Sequence, residues 1–278
     1  YVVASDTDSL YVVMDELIKK VGLVNKPKET IIKFMDNICE GKFQEIIDNG
    51  YKDLAEYTNA FEQKMVMKRE VLADVGIWTG KKHYILNVFN SEGVQYDEPK
   101  LKIMGIEAIK SSTPQPVREA LKEAFKIIVT WTEEDVLSYI EEFKKKFKTL
   151  PVEDIASPRS VKGLKKYYDP VTIYRKATPM HVKASLIYNY LLSSQGLTKK
   201  YPRIMEGEKI KYVYLKEPNC SGDRCIAMLN TFPKEFKLND YIDYDTQFEK
   251  TFLSPMRGIL EAIKWKTERI STLDNFFN

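Results

Sequence analysis

Two carboxylates one residue apart, in Ser5-Asp6-Thr7-Asp8-Ser9, are the pair in this 278-residue sequence best placed to do chemistry. Two β-rich runs flank them, Tyr1-Val2-Val3-Ala4 and Leu10-Tyr11-Val12-Val13. Such a pattern predicts a β-hairpin with both acids at its turn. Carboxylate oxygens on a stiff hairpin suit Mg²⁺. Divalent ions held so can activate a hydroxyl and stabilise a transferring phosphate and its leaving group. The same letters also make an ordinary solvated turn, because Asp, Thr and Ser are common turn residues.

Further polar groups cluster downstream. Thr79-Gly80-Lys81-Lys82-His83-Tyr84 places two lysines beside a tyrosine, and can be read as a basic turn. Lys100, Lys102 and Lys110 follow in Glu98-Pro99-Lys100 through Ser111-Ser112-Thr113-Pro114. Glu70 lies in Met67-Lys68-Arg69-Glu70. The chain ends Leu273-Asp274-Asn275-Phe276-Phe277-Asn278, where an aliphatic residue, two spacers and two aromatics can wrap into one turn and fill a pocket.

The elements that must position these groups are legible from periodicity. Residues 28–58 follow a helical period with apolar points at Ile31, Ile32, Met35, Ile38, Phe43, Ile46 and Ile47. Strand-like runs cover 64–72 and 82–89, with a Gly-containing loop expected from Asp74 to Gly80 and a turn at Asn90-Ser91-Glu92-Gly93. Pro114 opens a helix over 115–130. Thr132-Glu133-Glu134-Asp135 starts another, with Val136, Ile140, Phe143 and Phe147 on one face. His181 to Leu192 reads as a helix, and 210–230 as strand, turn, strand. Phe248 to Ile270 reads as helical, with a break near Pro255. The expected class is α+β, changing near residue 110 from an antiparallel sheet with helices to a mostly helical region.

The order of these motifs resembles family B DNA polymerases, closest to those of tailed phages of the T-even type. A tyrosine-containing strand with Asp-Thr-Asp-Ser is similar to the family's motif C, although Ala4-Ser5 stands where Tyr-Gly is usual. Lys82 and Tyr84 match its Lys-x-Tyr element, and the stretch from Glu98 to Pro114 its palm-to-thumb junction. Pro179-Met180-His181-Val182-Lys183-Ala184 with Tyr188-Asn189 resembles a thumb helix. Residues 207–227 resemble the thumb tip. The resemblance implies part of a palm over 1–110, a thumb over 111–270 and a sliding-clamp-binding tail over 271–278.

It further implies nucleotidyl transfer from a dNTP to a primer 3′-end, with Asp8 a direct ligand of two Mg²⁺ ions and Asp6 tuning the site. Lys82 would act beside them at the primer terminus. Lys81, His83, Tyr84, Lys100, Lys102 and Lys110 would contact primer-template DNA, the lysines as minor-groove or phosphate partners. Glu70 would have an indirect, water-linked role, and Leu273, Phe276 and Phe277 would dock on the sliding clamp. In Ile270-Ser271-Thr272-Leu273, Ile270 stands where clamp-binding peptides often have Gln. The family's second metal-binding Asp, its fingers helix and its exonuclease would precede Tyr1. The chain would therefore need an N-terminal polymerase polypeptide, in the same chain or as the other subunit of a split enzyme, and would not polymerise alone. A non-catalytic DNA-binding and clamp-tethering subunit is the alternative.

Composition fits a folded, soluble protein, and the resemblance implies a viral DNA replication protein of the host-cell cytoplasm. Apolar residues make up 44% and charged residues 30%. No apolar run is long enough to span a membrane. Three cysteines, Cys39, Cys220 and Cys225, suit a reducing compartment, and two histidines leave them short of a zinc site. Residues 1–60 carry seven basic and eleven acidic side chains, whereas residues 121–200 carry fifteen and nine. That asymmetry suits a metal site beside a polyanion track. The first residue is Tyr rather than Met, which suggests a fragment or a processed product.

Overall fold

A computed structural model describes residues 1–106 and 110–269. The chain is α+β, with small antiparallel sheets, and divides into two compact units, Tyr1–Met104 and Gly105–Asn278.

The first unit opens with a hairpin, β1 (Val2–Asp6) and β2 (Ser9–Val12), in antiparallel register with Asp6 opposite Ser9. Only Thr7 and Asp8 connect the strands, and Thr7 takes the left-handed conformation at φ 57° that so tight a turn demands. After α1 (Asp15–Lys20), a helical run extends from Lys28 to Tyr57: α2 (Lys28–Ile38), a π turn (Cys39–Phe43) and α3 (Gln44–Tyr57). The predicted helical period is real, yet only Ile32 and Met35 of its apolar points are buried. Three antiparallel strands complete the unit in the order β3 (Val71–Gly80), β4 (His83–Ser91), β5 (Val94–Met104).

The loop expected from Asp74 to Gly80 is instead most of β3, and residues 64–70 lack regular structure. Both glycine and aspartate have packing or pairing reasons to sit in a strand, the aspartate's from distant residues. A Cβ at Gly76 would lie 2.6 Å from the Trp78 ring, so the missing side chain is the space that Trp78 fills. Asp74 accepts from Asn87 Nδ2 (2.8 Å) and from Lys28 Nζ (2.6 Å). The expected turn at Glu92-Gly93 is present, with Gly93 at φ 83°.

The second unit holds most of the buried apolar side chains. Its first helices are α4 (Gln115–Thr130) and α5 (Glu133–Phe147). Thr132 and Asp135 form a reciprocal capping box at the start of α5. The predicted face of α5, Val136, Ile140, Phe143 and Phe147, is buried. Short elements follow: α6 (Val152–Ile155), β6 (Ser157–Ser160), α7 (Leu164–Tyr167), β7 (Tyr168–Asp169) and β8 (Ile173–Tyr174). Helix α8 (Met180–Ser194) is apolar on most sides and packs on β10 (Cys225–Met228), whose four side chains are all buried. The sheet order is β10, β9 (Lys209–Tyr214), β6.

A last helical run covers α9 (Tyr244–Phe248), a π turn (Glu249–Leu253) and α10 (Ser254–Ala262). It starts earlier and ends earlier than the period suggested. The π turn stands just before Pro255, which has no N–H for an i−4 partner, so the wider turn replaces the anticipated break. Phe252 stands against Phe143 (4.8 Å between ring centroids) and Phe248 (5.1 Å), which joins this run to α5. No helix among the described residues is long and apolar enough to cross a membrane.

Candidate functional site

Asp6 ends β1 and Asp8 sits on the exposed tip of the turn. The turn is braced from inside: Ser9 Oγ donates to the Asp6 carbonyl (3.0 Å) and Thr7 Oγ1 to Asp6 Oδ1 (3.3 Å). A second tight turn, Lys81-Lys82 between β3 and β4, faces it. Lys82 is left-handed at φ 62°, and its Nζ lies 3.7 Å from Asp6 Oδ2. Lys82 remains 62% exposed, so the pair is weakly held and its ammonium can leave for another acceptor.

Three aromatic rings lock the two turns together. Tyr11, two residues past Ser9 on β2, packs edge-on against Trp78 of β3 (5.4 Å) and tilted against Tyr84 of β4 (5.4 Å). Tyr11 Oη donates to Tyr84 Oη at 3.0 Å. Burial, then the bond to Tyr84, pushes the Tyr11 hydroxyl up to about 12, so it stays protonated and remains a donor. Gly76 makes this clasp possible by giving Trp78 room.

Glu70 and Lys102 form an ion pair close enough to Tyr11 to act on its titration. Next to Glu70, the nearly buried Arg69 joins Asp36 and Glu40 (3.4 Å) of the long helical run to Asn90 (2.8 Å) of β4. It therefore fixes the helix against the sheet edge that carries Glu70. Lys100 lies over the Tyr96 ring at 4.0 Å, and His83 Nδ1 is 2.7 Å from the Lys81 carbonyl.

The predicted residues thus separate into groups. Asp6, Asp8, Lys81, Lys82, His83, Tyr84, Glu70, Lys100 and Lys102 belong to the first unit, where Asp6 meets Lys82 and Glu70 meets Lys102. Lys110 belongs to the second unit and lines a polar cleft there. Leu273, Phe276 and Phe277 lie outside the described residues. Tyr11, Trp78 and Arg69 were not singled out from the sequence. Tyr11 was visible as an inward position of the hairpin, but its partners are 67 and 73 residues away.

Among the described residues no three His, Cys, Asp or Glu side chains come together as a metal cage. Mg²⁺ commonly takes one or two carboxylates, keeps waters and takes its remaining ligands from substrate phosphates. Asp6 and Asp8, hard oxygen donors on one braced turn with an exposed side, fit that pattern.

No family model matches the chain. Two curated proteins do. The DNA-directed DNA polymerase of Enterobacteria phage T4 is 35% identical over 290 aligned positions, which cover all of this chain and 32% of the phage protein. The DNA-directed DNA polymerase of Escherichia phage RB69 is 36% identical over 296 positions, again covering the whole chain and 32% of the relative. The chain therefore spans about a third of the length of the curated relatives it matches. From its first residue to its last, it is similar to T-even-type phage DNA polymerases, as the C-terminal part of such an enzyme would be.

Proposed function

We propose that the chain serves template-dependent DNA synthesis as the C-terminal part of a polymerase, with the first unit a partial palm and the second a thumb. The observation that carries this reading is the turn Asp6-Thr7-Asp8, clasped to the Lys82 turn by Tyr11, Trp78 and Tyr84. A rigid mount of this kind is what phosphoryl chemistry requires of its ligands. End-to-end similarity to two phage polymerases supports it.

Asp8 and Asp6 would hold two Mg²⁺ ions, together with an aspartate from an N-terminal polymerase polypeptide. The ions would supply an activated primer 3′-hydroxyl and charge stabilisation at the transferring phosphate. Lys82 neutralises Asp6 in the absence of other cations, and its long exposed stem lets it turn to the minor groove of the terminal base pair. Acceptors there occur on every correct pair, so the contact tests pair geometry rather than sequence. Tyr84 cannot drift, because Tyr11 holds its hydroxyl. Glu70, paired to Lys102, acts at one remove by holding that lysine near the primer backbone. The terminal Leu273, Phe276 and Phe277 would tether the assembly to a sliding clamp. Primer-template DNA and dNTP are the substrates, and the host-cell cytoplasm the setting.

Asp8→Ala in the assembly reconstituted with the N-terminal polypeptide should reduce primer extension by at least about a thousandfold, with duplex binding unchanged. Synthesis that survives this substitution would remove the metal role of Asp8. It would favour a non-catalytic DNA-binding and clamp-tethering subunit.

A further inference from the structure

The hydroxyl of Tyr84 makes one hydrogen bond among the described residues, and in it Tyr84 is the acceptor: Tyr11 Oη donates to Tyr84 Oη at 3.0 Å. A phenol oxygen carries one hydrogen and two lone pairs. The bond from Tyr11 occupies a lone pair and leaves the Tyr84 hydrogen unspent. Tyr84 is half-buried, and the exposed turn Lys81-Lys82 ends two residues before it on the same strand. Its hydrogen can therefore bond an acceptor that a substrate brings.

The fold fixes where that hydrogen points. Trp78 and Tyr84 stand directly opposite one another across β3 and β4. Tyr11 enters from β2, where its neighbours Leu10 and Val12 face solvent and the pleat turns Tyr11 inward. The Tyr84 ring lies 5.4 Å from Tyr11 and 6.3 Å from Trp78, tilted against both. Contact with two rings holds its plane, and the Tyr11 hydrogen then sets the rotation of its O–H. Without the Tyr11 hydroxyl, the O–H of Tyr84 could rotate freely and its oxygen could serve as an acceptor instead. Donation into the Tyr84 oxygen also polarises its O–H and strengthens the bond it makes onward. Two residues back, Lys82 Nζ lies 3.7 Å from Asp6 Oδ2, so Tyr84 follows directly on the turn that meets the acid hairpin.

We infer that Tyr11 is a positioning residue: acting through Tyr84, it makes the Tyr84 hydroxyl an obligate donor to an oxygen of the primer-terminal nucleotide. Phosphate and sugar oxygens are suitable acceptors, and carry no sequence information. Tyr11 itself touches no DNA in this scheme. The inference rests on the polymerase reading, which supplies the primer and places Tyr84 beside its end.

The test is single-turnover primer extension by the assembly with the N-terminal polypeptide, for the wild type, Tyr11→Phe, Tyr84→Phe and the double variant Tyr11→Phe/Tyr84→Phe. All three variants keep every ring, and melting verifies that each is folded. Tyr11→Phe should lower the extension rate about three- to tenfold, with the dNTP concentration for half-maximal rate within about twofold of wild type. Tyr84→Phe should lower the rate at least as much. The double variant should match Tyr84→Phe, because without the Tyr84 hydroxyl Tyr11 has nothing to orient. Loss by the same factor on adding Tyr11→Phe to either background would make Tyr11 only a prop of the hairpin and overturn the inference. A loss confined to dNTP affinity would overturn it too. Absence of extension by the wild-type assembly would remove the polymerase reading and this inference together, whereas wild-type extension that Tyr11→Phe matches removes this inference alone.

Discussion

The two units solve the same problem, burying apolar surface, to very different extents. In the first unit the buried apolar side chains are Ile32, Met35, Ile77, Ile85, Leu86 and Val88, while all the others among the described residues lie in the second. The first unit also leaves large apolar groups in solvent. Tyr57 and Phe61 are 88% and 105% exposed, and Tyr1, Val2, Leu10 and Val12 of the hairpin are at least half exposed. The second unit, in contrast, closes a phenylalanine cluster, a fully buried strand and an apolar helix around one another. The contrast is compatible with the proposed reading of the second unit as a thumb and of the first as part of a palm.

Core truncation should separate the units most strongly. Phe252→Ala removes a fully buried ring between Phe143 and Phe248 and should cost about 3–5 kcal/mol, measured by denaturant unfolding of the second unit. Leu54→Ala, on the exposed face of α3, should cost under about 0.5 kcal/mol. Comparable losses at both positions would break the comparison.

Within the first unit, order depends on the aromatic clasp more than on a core. Gly76→Ala drives a methyl into Trp78 and should destabilise by about 1–3 kcal/mol, with a shift of Trp78 fluorescence as the ring moves. Tyr11→Phe keeps the ring but loses the bond to Tyr84, for about 0.5–1.5 kcal/mol. An unmoved fluorescence spectrum and unchanged stability in both variants would show that the hairpin is not clasped to the Lys82 turn.

The smallest expected effect is a pH dependence in the second unit. Bonds from Lys200, its own backbone N–H and Tyr201 hold Glu235 at about 2, below its ordinary 4.5. The unfolded chain therefore takes up this proton first as pH falls. The contribution is fully present above pH 4.5 and is lost as pH falls through about 2. Glu235→Gln should lower the melting temperature slightly at pH 6 and not at pH 2; an equal gap at both values would contradict the assignment.

Local signals told most where the structure is locally determined. The capping box and apolar face of α5, the Glu92-Gly93 turn and the acidic hairpin all depend on neighbours within a few residues. The path of β3 was misread because Asp74, Gly76 and Gly80 carry loop propensity, while their compensations, Lys28, Asn87 and Trp78 packing, come mostly from elsewhere in the chain. Periodicity over 28–58 announced a face but not whether anything covers it. Of the site, the acid pair and Lys82 could be read from type and order. The Tyr11–Tyr84 bond could not, because it joins strands far apart in sequence.

The most direct measurement is primer extension with this chain alone, and then with a polypeptide carrying the second metal-binding aspartate and the fingers. Synthesis only on mixing is the predicted result and would place the active site across both parts. Extension by the chain alone, or none on mixing while duplex DNA is still bound, would contradict it.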